Sequence, residues 1–232
     1  MILLAVDTSG PVCGVALMEN GHVRYEGMVK NKMTHSENLM PMVEEAFEKT
    51  GLSVDDVDVF SVVVGPGSFT GVRLGVSAVK ALCHVGGKKA VAVDALEATA
   101  EGVRYFDGVI CPIQDARAGQ VYGACFEGNT MKRLLDDAPV KVEEFCQQVK
   151  QLGKKALFVG DGTLVHREKI ESLMQEDCVF APAQMNYLRP AAVAQLGWQR
   201  QDEAVDYLTL APMYLRAPQA ERQRNLVEKG HE

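Results

Sequence analysis

The chain has 232 residues, of which 47% are apolar and 24% charged, and its formal net charge is −7. That length is enough to bury a real core in one large or two small domains, and the composition is that of a globular protein rather than a disordered or fibrous one. The acidic balance excludes the basic footprint of an independent nucleic-acid binder, so phosphate contacts to any RNA would fall mostly to a partner.

The opening apolar run, residues 2–6, reads as a buried strand and ends at Asp7. It is too short for a signal peptide and has no basic flank. Residues 12–18 return after a turn at Ser9-Gly10-Pro11, and Asn20-Gly21 then signals a hairpin into a strand through Val23 and Tyr25. A helix is expected over residues 36–50. Thr34-His35-Ser36-Glu37 has the capping-box spacing. Leu39, Val43 and Phe47 fall on one stripe, and Pro41 implies a kink or a later start.

Residues 57–64 form a second apolar run. It leads into Gly65-Pro66-Gly67-Ser68-Phe69-Thr70-Gly71-Val72-Arg73-Leu74-Gly75 and a helix to residue 85. A strand feeding a Gly-rich turn and a helix can aim backbone N–H groups at an anion. The stretch lacks the Lys-Ser/Thr of a P-loop and the spacing of a dinucleotide fingerprint. On geometry alone, a structural turn is at least as good a reading as a phosphate cradle. Residues 90–93 read as a short strand and 95–101 as the start of a third helix. Three strands followed by alternating helix and strand indicate a mixed sheet flanked by helices.

The second half echoes the first. Residues 109–115 again end in an Asp, and residues 121–126 return with Gly123 inside, as Gly14 lies inside 12–17. Such an echo suggests a duplicated unit. Helices over 142–152, 164–174 and 190–198 and a strand over 155–159 complete the pattern. No run approaches membrane-spanning length. The six cysteines (Cys13, Cys83, Cys111, Cys125, Cys146, Cys178) form no Cys-x-x-Cys pair and sit mostly in apolar runs, as buried thiols of a reducing cytoplasm do.

Catalytic and metal chemistry find little support. Asp7 and Asp115, with Ser9, Gly65 and Gly67, are the residues that would surround a magnesium–phosphate group, and both Asp residues equally suit turns that they cap themselves. His35 has Leu39 four residues on, not a second ligand, so it reads as a capping or packing residue. Ser68 and Thr70 lack a base nearby, and the turn is not Gly-x-Ser-x-Gly. On the helix after the turn, Gly71, Gly75 and Ala78 make a small-residue face that lets another helix approach closely. Together with Leu39, Met42, Val43, Ala46, Phe47, Leu74 and Leu82 it is the expected surface for a partner, the competing reading being that both helix faces pack on the sheet.

Asp7-Thr8-Ser9, His35-Ser36-Glu37-Asn38-Leu39-Met40-Pro41, the Gly-rich stretch 65–75, Asp115-Ala116-Arg117 and Tyr214-Leu215-Arg216 together resemble the TsaB (YeaZ) family. The resemblance is close over roughly the first 125 residues and looser beyond. It implies an actin/sugar-kinase/Hsp70-like fold of two related lobes, the second reduced: residues 1–100 and 101–212, with a tail over 213–232. It implies a non-catalytic subunit that supports the catalytic paralogue TsaD and the ATPase TsaE in making threonylcarbamoyladenosine beside the tRNA anticodon. Under it the chain carries no catalytic residue, metal or cofactor of its own. An adenine nucleotide at the TsaD interface and a homodimer of the lone chain stay open. TsaD carries Asn-His-Leu-Glu-Gly-His where this chain has Asp94-Ala95-Leu96-Glu97-Ala98-Thr99, so Ala95 and Thr99 stand in place of the metal-binding histidines. The alternatives are a magnesium–ATP phosphotransferase of the same fold and, last, a metallopeptidase. The basic residues of the tail, Arg222, Arg224 and Lys229, are the candidates for touching tRNA.

Overall fold

The computed structural model describes residues 1–216. It contains two five-stranded sheets. The first is built from β1 (Ile2–Asp7), β2 (Cys13–Glu19), β3 (His22–Val29), β4 (Val59–Gly65) and β5 (Lys89–Asp94), in the order β3-β2-β1-β4-β5. The second is built from β6 (Val109–Asp115), β7 (Gln120–Glu127), β8 (Arg133–Lys141), β9 (Ala156–Val159) and β10 (Cys178–Phe180), in the order β10-β9-β6-β7-β8. Read from the other edge, the second order repeats the first. In each sheet an antiparallel meander of three strands is extended by two parallel ones. The echo of strand, Asp and returning strand is thus the visible part of a whole repeated topology.

β1 and β4 are apolar on both sides because helices cover both faces, as parallel neighbours require. On one face Leu4, Val6, Phe60, Val62 and Val64 meet α1 (His35–Thr50) and α2 (Phe69–Gly86). On the other, Leu3, Ala5, Val59 and Val63 meet α3 (Ala95–Glu101) and α6 (Pro190–Gln199). In the second lobe α4 (Val142–Gln151) and α5 (Gly162–Met174) cover the Cys111, Ile113 and Cys125 face. The opposite face, with Ile110, Phe126 and Val159, packs on Leu96 and Ala100 of α3. So α3 is shared: Ala95 and Ala98 belong to the first core and Leu96 and Ala100 to the second.

Local sequence explains the helix ends. Glu37 reaches back to the Thr34 N–H at 2.7 Å, as the capping-box spacing expects. The helix runs through Pro41, an exposed position, without starting later. Ser68 caps α2, its Oγ accepting from Gly71 N at 3.3 Å. α6 starts with Pro190 and is capped from a distance: Glu26 of β3 accepts from Ala191 N at 3.0 Å and from Arg189 Nε at 3.1 Å.

The expected lobe boundaries differ from those observed. Residues 190–212 are expected in the second lobe and residue 213 in the tail, whereas α6 packs on the first sheet, where Ser61 Oγ donates to Val193 O at 3.3 Å. Val205 then pairs with Ala90, and Met213 N donates to Val64 O at 2.7 Å. The apolar content of α6 shows that it must be buried, and periodicity does not say against which sheet. Strands β8 and β10 are likewise not anticipated by pattern. β8 carries Asp136, Asp137 and Pro139 in mid-run, and β10 has only 3 residues. The tail residues 217–232, including Arg222, Arg224 and Lys229, lie outside the described residues.

A polar cluster also lies across the lobe seam. Asp94, at the end of β5, lies 3.8 Å from Arg133 of β8, which also binds Asp137. Burial, and then the neighbouring Asp137, push the Asp94 carboxyl up from 3.8 to about 8, against the pull of the Glu97 N–H and Arg133.

Two expected outcomes follow from this packing. A Cβ on Gly71 would collide with the Thr8 carbonyl oxygen, so Gly71→Ala should lose about 1–3 kcal/mol despite its better helix propensity. Thermal unfolding by circular dichroism checks this, and a Tm at or above that of the parent would refute the close approach. The folded-state value of Asp94 lies above its unfolded one, so its protonated form supports the fold. That contribution is complete below the unfolded value and fades as pH rises through the folded one. Asp94→Asn keeps a neutral group and a helix cap there. Its Tm should therefore gain on the parent steadily between pH 4 and pH 8, by about 2–4 °C for each kcal/mol; a gap that does not widen with pH would show Asp94 is ionised throughout.

Candidate functional site

The Gly-rich turn is folded onto the end of β1. Ser68 N donates to Ser9 O at 2.7 Å, and Thr8 Oγ1 donates to Gly71 O at 2.7 Å. Gly67 has φ 156°, and a Cβ there would sit 2.5 Å from Ser9 O. Three of the turn's N–H groups are spent within the chain: Ser68 N on Ser9, Gly71 N on the Ser68 hydroxyl, Val72 N on the Ser68 carbonyl. Those donors are not available to a phosphate. Gly67 and Gly71 thus have a structural use in this close approach.

Asp7 is 3% exposed, and its Oδ1 accepts from Ser9 N at 2.8 Å. Burial raises its pKa, opposed by the Ser9 N–H and the nearby His35. His35 in turn places Nε2 2.9 Å from Gly10 O and so ties the start of α1 to the same turn. It packs and tethers, as its isolation in sequence suggests. Gly65 is fully enclosed by the returning chain, since a Cβ on it would collide with Met213 O.

Asp115 occupies the equivalent place in the second lobe. Its Oδ1 accepts from Arg117 N at 3.2 Å, a turn of its own making, and lies 3.0 Å from His166 Nε2 on α5. Nothing in the sequence pattern marks His166, because its partner is 51 residues away. Burial, with a contribution from Asp115, pushes the neighbouring Asp161 up to about 6. The lobes meet over a cavity of about 20 Å³ lined by Asp7, Thr99, Gln114, Asp161 and Asn186. That is room for a water molecule. Asp7 and Asp115 are each committed to local partners. Among the described residues no group of three or more His, Cys, Asp or Glu is placed to hold a metal ion.

The residues expected to meet a partner divide into two sets. Leu39, Met42, Val43 and Ala46 of α1 are buried in the core of their own lobe. Gly71 and Gly75 are also used internally: a Cβ on Gly75 would lie 2.5 Å from Thr8 Oγ1 and 3.6 Å from Val6 and Val62. Gly71 and Gly75 therefore serve close packing of α2 on β1. Helical spacing shows that a close neighbour exists and does not identify it. Phe47, Leu74, Ala78 and Leu82 remain half-buried at the rim of the same core, with Met40 48% exposed beside them. Ala95 and Thr99 sit on α3 in the seam between the lobes, where Thr99 Oγ1 donates to Ala95 O at 2.8 Å.

Comparison with known proteins agrees with this architecture. The family model described as TsaD: tRNA N6-adenosine threonylcarbamoyltransferase matches residues 16–224. The tRNA threonylcarbamoyladenosine biosynthesis protein TsaB of Bacillus subtilis is 34% identical over 223 residues, covering 95% of this chain and 96% of its own. TsaB of Escherichia coli is 30% identical over 167 residues, 70% of this chain and 72% of its own. A crystal structure from Pseudomonas aeruginosa, described as similar to peptidase YEAZ, superposes with a TM-score of 0.78 at 26% identity, covering 93% of this chain and 99% of that one. A ROK hexokinase from Thermus thermophilus shares the fold alone, with a TM-score of 0.51 at 13% identity over 85% of this chain and all 100% of that one. The two lobes of repeated topology have the actin/sugar-kinase/Hsp70-like architecture. With relatives matched along nearly their whole length, the chain belongs to the TsaB (YeaZ) family of tRNA threonylcarbamoyladenosine biosynthesis proteins.

Proposed function

We propose that this protein acts in the cytoplasm as a non-catalytic subunit of the machinery that makes threonylcarbamoyladenosine in tRNA, supporting a TsaD-type transferase together with a TsaE-type ATPase. The observation that carries the reading is α3. Ala95 and Thr99 stand where the resemblance places the metal-binding histidines of TsaD, and they are 0% and 5% exposed. A methyl group and a hydroxyl already bonded to the backbone cannot take over that ligation. The committed Asp7 and Asp115 and the small cavity between the lobes support the same reading against an autonomous phosphotransferase.

The partner surface in this reading is the rim that the fold leaves half-open: Met40 and Phe47 on α1 with Leu74, Ala78 and Leu82 on α2. These two helices already have their inner faces filled, so the rim is surplus apolar surface that a second pair of helices would cover. The same rim serves a homodimer of the lone chain. An adenine nucleotide belongs at that interface rather than in the seam between lobes, and tRNA is met through the complex.

A reconstituted modification assay tests the assignment. The chain alone should transfer no threonylcarbamoyl group, and its addition to the TsaD-type and TsaE-type subunits should raise modification at least about tenfold; transfer by the isolated chain would overturn it. Met40→Asp, at an exposed position, should weaken binding of the TsaD-type subunit about tenfold or more with an unchanged Tm. Binding that is unaffected in calorimetry would remove this rim from the interface.

A further inference from the structure

After α6 the chain does not leave the first lobe but runs back along the outside of α2. Val205 and Ala90 exchange backbone bonds of 2.9 and 3.0 Å. Tyr207 Oη then lies 2.8 Å from His84 Nδ1, and Lys80 Nζ donates to Leu210 O at 3.1 Å. Met213 N binds Val64 O at 2.7 Å, and the Tyr214 ring lies 4.8 Å from that of Phe69. Arg216 Nη1 finally reaches Ala116 O of the second lobe at 3.2 Å. Residues 204–216 are thus a strap pinned at both ends.

Between strap and helix lies a groove of about 450 Å³ lined by Phe69, Arg73, Val76 and Lys80 of α2 and by Leu208 and Tyr214 of the strap, among others. Positions 69, 73, 76 and 80 are one helical stripe, distinct from the Gly71–Gly75 stripe that packs on β1 and from the Leu74–Ala78–Leu82 rim. Leu208 is 74% and Tyr214 45% exposed, so the apolar walls stand open. The charged residues lining the groove are both basic, in a chain of net charge −7. Among the described residues neither Arg73 nor Lys80 forms an ion pair with a carboxylate. The Arg73 guanidinium lies 5.2 Å from the Phe69 ring centroid.

We propose that this groove receives an acidic segment of the catalytic subunit, an inference that rests on the function proposed above. One apolar side chain of that segment fills the space against Val76 and Leu208, and carboxylates flanking it meet Arg73 and Lys80. These two are seven residues apart on α2, about 10 Å along the axis, a span that a short extended or helical segment bridges. A basic, aromatic-edged groove on an acidic protein is complementary to such a segment in both charge and shape. Single-stranded nucleic acid fits less well. Phe69 and Tyr214 face one another at 31°, which leaves no open slot for a base between them, and two cations are few for a phosphate backbone.

Isothermal titration of the full-length chain with the TsaD-type subunit tests the proposal. Arg73→Gln/Lys80→Gln should weaken binding about tenfold, and Arg73→Glu/Lys80→Glu about tenfold again, because reversed charge adds repulsion to a lost attraction. Arg73→Glu alone, which leaves the Lys80–Leu210 hydrogen bond to the strap in place, should also weaken binding, with unchanged Tm, and affinity of the parent should fall with added salt. Glutamine and glutamate pairs that weaken binding equally, or not at all, would overturn the groove while leaving the subunit assignment standing. No binding by the parent chain would overturn both. A loss confined to binding of an oligouridylate probe by the isolated chain, with subunit affinity unchanged, would make the groove a nucleic-acid site and refute the acidic segment.

Discussion

The close approach of α2 to the end of β1 is the constraint on which the rest of the molecule depends. Thr8 donates to Gly71 O, Ser68 donates to Ser9 O, and Gly71 and Gly75 present no side chain at the contact. A helix can lie this near a strand end only where the facing residues lack a Cβ. The consequence reaches in three directions. It orients α2 so that its remaining stripes face α1 and the returning strap. It holds Asp7 and Ser9 in their own turn, with His35 locking the start of α1 to Gly10. It also occupies the Ser68 and Gly71 N–H groups of the turn.

The second constraint is α3. A short helix of small residues is wedged between two sheets and contributes alternate residues to the core of each. Small side chains let both sheets approach, and the seam that results is lined with carboxyl groups raised by burial, Asp94 and Asp161 among them. Closing the lobes on so thin a spacer leaves a cavity suited to water. The same geometry that seals the seam therefore turns attention to the outside of the molecule, where α1, α2 and the strap leave apolar and basic surface uncovered.

Much of the fold was legible in the chain. The runs at 2–6 and 57–64 were readable as buried strands because both sheet faces are covered, which removes polar alternation. α1 was bounded by Thr34 and Glu37 at one end and Gly51 at the other, each acting through its own backbone. The repeat of strand, Asp, turn and strand announced two related lobes. β8 was hidden because Asp136 and Asp137 interrupt its pattern, and their role is met only across the lobe seam, where Asp137 shares Arg133 with Asp94. The site was less legible. His166 beside Asp115, and Glu26 capping α6, are pairings between residues 51 and 165 positions apart.

Local chemistry determined what each segment is: strand, capped helix, glycine turn and a third short helix. These depend on residues within a few positions of one another, so they can be read from order alone. Only the tertiary structure decided what each face meets. It assigned Gly71 and Gly75 to Thr8 rather than to a partner, brought α6 home to the first sheet, and laid residues 204–216 along α2. Helical spacing tells which residues share a face; which neighbour fills it depends on the competition of all faces for burial, and that is settled only when the whole chain has packed.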